Sequence, residues 1–237
     1  MKQKIGVIGL GIMGSAISAN LLKADFSVIG YDIQPECIKT LAGEGGTGAA
    51  SVREVAEAAE IVISSLPSVT ALQNVVSGPD GLLTADKKGL VVIEVSTFPI
   101  EAKQEAYTQL EKAGMTMLDC PLSGTGAQAL TKDLAVYASG DRQLCEDCKP
   151  VFDGFARANY YIGEFGSGSR MKFIANLLVA VHNVVSAEAF VLGMKGGLDP
   201  ELIYRVISDG AGTSRMFEVR GPMMTAGEYD EATMKVG

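Results

Sequence analysis

The stretch Lys4-Ile5-Gly6-Val7-Ile8-Gly9-Leu10-Gly11-Ile12-Met13-Gly14 decides the fold. Its first half is a short apolar run that reads as a buried parallel strand. Its second half sets three glycines at the spacing of a dinucleotide-binding turn. The chain reverses tightly at Gly9, Gly11 leaves no side chain where a pyrophosphate approaches, and Gly14 lets a helix from about Met13 to Lys23 pack close to the sheet. That helix aims its unpaired N–H groups and the positive end of its dipole at the ligand phosphates. Leu10, Ile12 and Met13 count with the three glycines as cofactor-binding positions. A second strand, Ser27-Val28-Ile29-Gly30-Tyr31-Asp32, ends in an acid near the distance expected for a carboxylate that grips a ribose 2′-hydroxyl. The competing reading is structural: glycines that merely serve a strand–turn–helix corner. Asp32 accepts hydrogen bonds from free ribose hydroxyls but repels the additional phosphate of NADP. Ile33, Gln34, Pro35 and Glu36 bring no cation to offset it, so NAD is expected over NADP.

A length of 237 residues allows one large or two small domains, and 47% hydrophobic with 20% charged residues is ordinary for a globular chain. The net charge of -8 argues against a nucleic-acid backbone or an anionic membrane surface as partner. No basic segment precedes an apolar signal, so a cytoplasmic location is expected. Cys37, Cys120, Cys145 and Cys148 are scattered as in a reducing compartment. Cys145-Glu146-Asp147-Cys148 resembles half of a redox or zinc site, but it lacks a second pair and a nearby histidine, so no metal site is expected. The one histidine, His182, lies in an apolar helical run and reads as a core or interhelical hydrogen-bonding residue.

Strands and helices alternate through the first two-thirds: helix Pro35 to Ala42, a Gly-rich loop through Gly48, helix Val52 to Ala59, strand Ile61 to Leu66, and helix Val69 to Val76. Then come strand Leu90 to Val95, a helix from Pro99 to Ala113, strands Thr116 to Asp119 and Leu134 to Ser139, one helix Arg142 to Phe152, and strand Asn159 to Ile162. This pattern predicts an α/β, Rossmann-type doubly wound sheet over residues 1–163. Residues 164–237 are expected to form an all-α domain. There, Gly166 to Ser169 reads as a turn before one long helix, Met171 to Met194. Asn176, His182, Asn183 and Glu188 interrupt its apolar surface, which favours a buried inter-domain or subunit-interface helix over a membrane span. A further helical pattern runs from Glu201 to Ile207.

Groups able to do chemistry gather at the C-terminal edge of a doubly wound sheet. Three segments end there with usable residues: Leu66-Pro67, Ser96-Thr97, and Asp119-Cys120-Pro121-Leu122-Ser123-Gly124-Thr125-Gly126. The last offers a hydroxyl and backbone N–H groups suited to a carboxylate, although a plain turn fits the spacing equally well. Lys172 stands at the start of the long helix with Asn176 at i+4 on the same face. Beside an apolar site and a nicotinamide cation its pKa would fall, making it a proton donor and acceptor in the neutral range. A lysine at a helix end is otherwise an ordinary surface charge.

These residues together resemble the β-hydroxyacid dehydrogenases, the group that includes 3-hydroxyisobutyrate dehydrogenase, tartronate semialdehyde reductase and the threonate dehydrogenases. The resemblance rests on Gly9 to Gly14 with Asn20-Leu21, on Leu66-Pro67, Ser96-Thr97 and Asp119 to Gly124, and on Gly166-Ser167-Gly168 through Lys172 to Asn176, in the family's order. It implies that Lys172 is the catalytic acid/base, supported by Asn176. Ser123, Gly124 and the adjoining Thr125 would hold a substrate carboxylate, Thr97 would lie near the nicotinamide ribose, and Leu66 and Pro67 would line the cofactor. It further implies a small hydroxy-acid or semialdehyde substrate; the apolar long helix and the exposed domain junction suggest at least a dimer, and a homodimer or homotetramer is expected. Gly212 to Phe217 is similar to the substrate-domain segment of the threonate-type and tartronate-type members.

There are departures. Thr125 replaces a second glycine, Leu130-Thr131-Lys132-Asp133 stands where members show Gly before a small polar residue, and Arg215 stands where the threonate-type pattern often has Trp. The sequence ends at Met234-Lys235-Val236-Gly237, before the Lys-Asp element and last helices of the family, so a truncated helical domain is expected. Two other readings stay open: a non-catalytic dinucleotide-binding redox module, and an imine reductase or 6-phosphogluconate dehydrogenase-like enzyme. Imine reductases commonly lack a lysine at the Lys172 position. A phosphorylated substrate would need a cluster of Arg and Lys that the sequence does not show.

Overall fold

The apolar runs from Ile5, Ile61, Val92 and Met117 each have two faces to bury, and the computed structural model, which describes residues 2–229, buries both. The chain runs β1 (Lys4–Ile8), α1 (Ile12–Lys23), β2 (Ser27–Tyr31), α2 (Pro35–Gly43), β3 (Thr47–Gly48), α3 (Val52–Ala58), β4 (Ile61–Ser64), α4 (Val69–Ser77), β5 (Val91–Glu94) and α5 (Ile100–Lys112). It continues with β6 (Thr116–Asp119), β7 (Leu122–Ser123), α6 (Gly126–Leu130), β8 (Ala135–Ser139), α7 (Arg142–Asp147), α8 (Lys149–Phe155) and β9 (Ala158–Gly163). The parallel strands lie in the order β3-β2-β1-β4-β5-β6, a doubly wound sheet whose direction of winding reverses between β1 and β4. β8 joins β6 antiparallel through Asp119 opposite Ser139, and carries β7 antiparallel and β9 parallel.

Alternation along each strand sorts the core into two layers. Ile5, Val7, Ile61, Ile63, Ile93 and Leu118 face one layer with Ile17 and Leu21 of α1 and Phe152 and Phe155 of α8. Ile8, Ile29, Val62, Val92 and Met117 face the other, with side chains of α3, α4 and α5. Each fully buried aliphatic side chain of this kind contributes about 1.5–3 kcal/mol. Both layers lie under the sheet edge where β1, β4, β5 and β6 end, and so hold those four ends rigidly beside one another.

Local chemistry moves several boundaries. Pro150 and the joint at Cys148 divide the expected helix 142–152 into α7 and α8. The Gly-rich loop hides β3, a two-residue pairing with Ile29 and Gly30. Lys132 adopts φ +64°, a left-handed conformation that glycine takes more readily than lysine.

The first compact unit runs past Gly163 to Lys172, and the second starts at Phe173. The helix α9 (Ser167–Lys195) contains that junction, and α10 (Pro200–Ser208) and α11 (Arg215–Ala226) follow. Residues 166–169, expected as a turn, are mostly the first turn of α9, because side chains of β6 and β8 satisfy its leading N–H groups. Taken by itself, the second unit packs around Phe190, Ile203 and Phe217, the two phenylalanine rings stacking at 5.2 Å. Asp199 and Ser214 cap α10 and α11. Within the single chain Ile174, Leu177, Leu178, Val181, Val184 and Leu192 of the long helix are exposed, so no cover from this chain buries them. By length and composition alone α9 is apolar enough to cross a membrane. The terminal segment Met234 to Gly237, on which the expectation of a truncated helical domain rests, lies outside the described residues.

Candidate active site

The glycine turn closes at the crossover between β1 and β4, and each glycine has a separate reason. Gly9 adopts φ +85° and donates its N–H to the Tyr31 carbonyl at 2.9 Å; a Cβ there would stand 2.1 Å from the Ser65 carbonyl oxygen. A Cβ on Gly14 would stand 1.8 Å from the Gly9 carbonyl oxygen. A Cβ on Gly11 would meet nothing within 4 Å. Gly9 and Gly14 are therefore required by the protein itself, whereas the space above Gly11 is left to a ligand. That cradle at the N-terminus of α1 fits a dinucleotide pyrophosphate.

Asp32, just past β2, is tied into the same turn. Its Oδ2 accepts the Leu10 N–H at 2.7 Å and its Oδ1 accepts the Gln34 N–H at 2.8 Å. A carboxylate has about four acceptor positions, so this half-buried group retains capacity for ribose hydroxyls while its rotamer is fixed. Leu66 lies against the turn, its Cδ2 3.4 Å from where a Gly9 Cβ would be; Pro67 is exposed beyond it. Thr97 is also exposed, at the equivalent end of β5.

Ser123 ends β7, half-buried, and Gly124 follows at φ +140°, with Leu134 Cδ2 only 2.5 Å from any Cβ placed there. Only glycine fits that position without strain. Thr125 caps α6: its N–H donates to Gln128 Oε1 at 2.9 Å and its hydroxyl accepts the Gln128 N–H at 3.3 Å. The residue that departs from the family's glycine thus has its hydroxyl engaged by the helix it starts. This segment is held to the cofactor turn. A Cβ on Gly126 would meet Ile12 Cγ2 at 2.5 Å, and the buried Asn20 side chain donates to the Ala129 carbonyl at 2.7 Å.

Beneath the strand ends runs a buried polar chain that the sequence reading missed. The Leu66 N–H donates to Ser96 Oγ (2.8 Å), and the Ser96 N–H donates to Glu94 Oε1 (2.7 Å), whose other oxygen accepts from Ser64 Oγ. Lys103 of α5, with no exposed surface, donates to the Ser96 carbonyl (2.6 Å) and to Asp119 Oδ1 (2.8 Å). Asp119 in turn accepts from Ser169 Oγ and the Ser169 N–H, both at 2.8 Å, at the first turn of α9. A glutamate inside the apolar strand Leu90–Val95 was the available signal, since a carboxylate there must find partners. Lys103 gave no such signal: in sequence it reads as the solvated face of α5.

Burial pushes the Glu94 carboxyl above its ordinary value of 4.5, against the opposing pull of Lys103 and its hydrogen bonds from Ser64 and Ser96. A carboxyl raised in the folded state holds its proton more tightly there than in the unfolded chain. Stability therefore falls as pH rises from 4.5 through the folded value. Glu94→Gln keeps an oxygen for the Ser96 N–H, turns the Ser64 bond round so that the amide donates to Ser64 Oγ, and, being uncharged at every pH, removes this part of the slope. Urea unfolding as a function of pH above 4.5 is expected to show a flatter stability profile for the variant; an unchanged slope would mean that Glu94 does not contribute to it.

Lys172 is half-buried, two residues inside α9 beyond Arg170, and burial lowers its pKa from the ordinary lysine value. Asn176 follows one helical turn later, in the second unit, with its side chain exposed. Among the described residues no ion pair or side-chain hydrogen bond engages the Lys172 ammonium. Cys120, Cys145 and Cys148 belong to the core: burial pushes the Cys145 thiol up to about 12 and the Cys148 thiol to about 11, far from a reactive thiolate. Arg215 begins α11 and pairs with Glu218 at 3.5 Å.

Comparison with known proteins identifies the family. Residues 4–163 match the family described as the NAD binding domain of 6-phosphogluconate dehydrogenase, and residues 166–235 match that described as the NAD-binding of NADP-dependent 3-hydroxyisobutyrate dehydrogenase. The chain is 35% identical to L-threonate dehydrogenase of Cupriavidus necator, over 97% of this chain and 77% of that protein. It is 34% identical to 2-(hydroxymethyl)glutarate dehydrogenase of Eubacterium barkeri, over 92% and 72% respectively. The crystal structure of a 3-hydroxyisobutyrate dehydrogenase from Salmonella typhimurium superposes with a TM-score of 0.83 at 33% identity, covering 96% of this chain and 80% of that one.

Proposed function

The chain belongs to the β-hydroxyacid dehydrogenase family, and on that footing we propose that it is an NAD-dependent oxidoreductase of a small 3-hydroxy or 2-hydroxy carboxylic acid, with Lys172 as general acid/base. The observation that carries the proposal is the buried chain from Leu66 through Ser96, Lys103 and Asp119 to Ser169. It sets the turn that bears Lys172 at the same sheet edge as the glycine cradle and Thr97.

The nicotinamide, when bound, supplies a hydride acceptor or donor for the hydroxyl-bearing carbon. The protein does the rest. The N–H groups opening α1 hold the pyrophosphate over Gly11, and Asp32 takes the ribose hydroxyls. Leu66, Pro67 and Thr97 border the cofactor. Ser123, Gly124 and neighbouring backbone N–H groups take the substrate carboxylate, with Thr125 fixing the bend. Lys172, in its deprotonated form, accepts the hydroxyl proton during oxidation and returns it during reduction, and Asn176 orients the group it serves. A positioned acid/base of this kind is worth about 10²–10⁴-fold.

The exposed apolar side chains of α9 support a second copy of the chain as their cover, in a homodimer or homotetramer. The four free cysteines suit a cytoplasmic location. A negative net charge likewise suits a protein with neither nucleic acid nor membrane as partner.

The assay is direct. NADH absorbance is followed with a panel of short hydroxy acids and the matching semialdehydes, with NAD and NADP compared on whichever substrate turns over. Turnover is expected on at least one hydroxy acid, with kcat/KM for NAD above that for NADP by about tenfold or more, the effect of one uncompensated charge contact. NADH binding without turnover on any member would favour the non-catalytic redox module instead.

A further inference from the structure

We propose that Asp119, clamped from behind by Lys103 and Ser139, is a positioning residue whose carboxylate fixes the rotation and height of the helix turn presenting Lys172. The inference rests on the reading of Lys172 as the acid/base, and adds to it the part that aims the ammonium.

The first N–H groups of any helix lack intrahelical partners. In α9 two of them are met by side chains from the sheet: Gly168 N–H donates to Ser139 Oγ at 2.9 Å, and Ser169 N–H donates to Asp119 Oδ2 at 2.8 Å. Ser169 Oγ adds a second bond, to Asp119 Oδ1 at 2.8 Å, so the carboxylate holds one residue by both its N–H and its hydroxyl. Such a double hold resists rotation about the helix axis as well as sliding along it. Ser139 Oγ donates to the Asp119 carbonyl at 2.9 Å, and Lys103 Nζ sits 2.8 Å from Oδ1; both partners are fully buried. Charge-assisted bonds of this length leave the carboxylate no alternative orientation.

Contact with the sheet is as close as backbone permits. A Cβ on Gly168 would lie 2.3 Å from the Tyr137 carbonyl oxygen and 2.7 Å from that of Asp119. Lys172 follows Ser169 by three residues and shares its side of the helix. A small twist at Ser169 is thus delivered to the ammonium.

Stability alone does not account for the arrangement. Burying a carboxylate–ammonium pair carries a desolvation cost that well-packed apolar side chains avoid. What the charged pair provides, and a leucine could not, is a directional acceptor at the start of α9. Placement matters because a displacement of about 1 Å in a reacting group can cost about 10²-fold in rate.

The test is Ser169→Ala in the full chain. The substitution removes one of the two bonds that stop rotation, and Lys103 still engages Asp119 Oδ1. Expected are a kcat lower by about tenfold to a hundredfold, and a substrate KM and an NADH dissociation constant within about twofold of the parent. Hydrogen exchange at the amides of residues 168–172 should quicken while β1 and β4 are unaffected. Asp119→Asn, which keeps the shape but leaves one accepting oxygen where there were two, should show the same kcat loss and faster exchange at 168–172 more strongly.

An unchanged kcat despite faster exchange would overturn the proposal. So would parallel losses of kcat, NADH binding and sheet protection, which describe a merely structural residue. Lys172→Ala, assayed alongside, separates the two claims. If it abolishes turnover while Ser169→Ala does nothing, the positioning role alone fails; if it leaves turnover intact, the acid/base reading fails with it.

Discussion

Lys172→Ala is expected to lower kcat by about 10²–10⁴-fold while NADH binds within about twofold of the parent. The separation follows from where the side chain sits. The proposed dinucleotide contacts come from the Gly9–Gly14 turn and Asp32, which are held by hydrogen bonds to Tyr31, Leu10 and Gln34, and none of these involves Lys172. The ammonium is half-buried and burial alone lowers its pKa, so deprotonation is easier than for a surface lysine. In the oxidative direction the rate should therefore rise with pH and level off below the ordinary lysine range. Lys172→Arg should not restore it, because a guanidinium keeps its proton at any working pH. Steady-state kinetics with an NADH titration by fluorescence decide the matter. Loss of both properties together would mark a lysine that merely supports the fold.

The second large effect separates two glycines three residues apart. Gly14→Ala places a methyl 1.8 Å from the Gly9 carbonyl oxygen, backbone that cannot swing aside as a side chain can. The turn must open, and with it the hydrogen bond from Gly9 to Tyr31 and the pairing of Leu10 with Asp32. A destabilisation of about 3 kcal/mol or more is expected, together with loss of measurable NADH binding. Gly11→Ala should behave in the opposite way. Nothing lies within 4 Å of the new methyl, so stability should change by less than about 0.5 kcal/mol. NADH binding should nonetheless weaken by about tenfold or more, since the methyl occupies the approach of the pyrophosphate. Thermal melts and NADH titrations of the two variants make the comparison. If Gly11→Ala bound NADH as the parent does, the ligand would not use this turn.

The fold was legible wherever it depends on neighbours in sequence. The glycine turn, Asp32 and the fully apolar runs at Ile61 and Leu90 announced a doubly wound sheet, because strand, turn and helix N-terminus are each set by a few adjacent residues. What stayed hidden depends on tertiary packing. Lys103 is followed by Gln104 and Glu105 and reads as surface, yet it is buried against the ends of β5 and β6. α6 and β3 are too short to leave a periodic trace, and α11 has glycine and proline in its interior. The exposure of α9 could not be read from its composition, since an apolar helix looks alike whether its cover is the same chain or another molecule.

The first turn of α9 also sets a rule for how this sequence can drift. Because the carboxylate of Asp119 grips residue 169 and the chemistry is assigned to residue 172, the interval between them works as a ruler. One inserted or deleted residue inside it would swing the amine by about 100° around the cylinder and shift it by about 1.5 Å, while the same change at 164–166 would be absorbed in the connection. Loop length ahead of the grip is free to vary; the count after it is not.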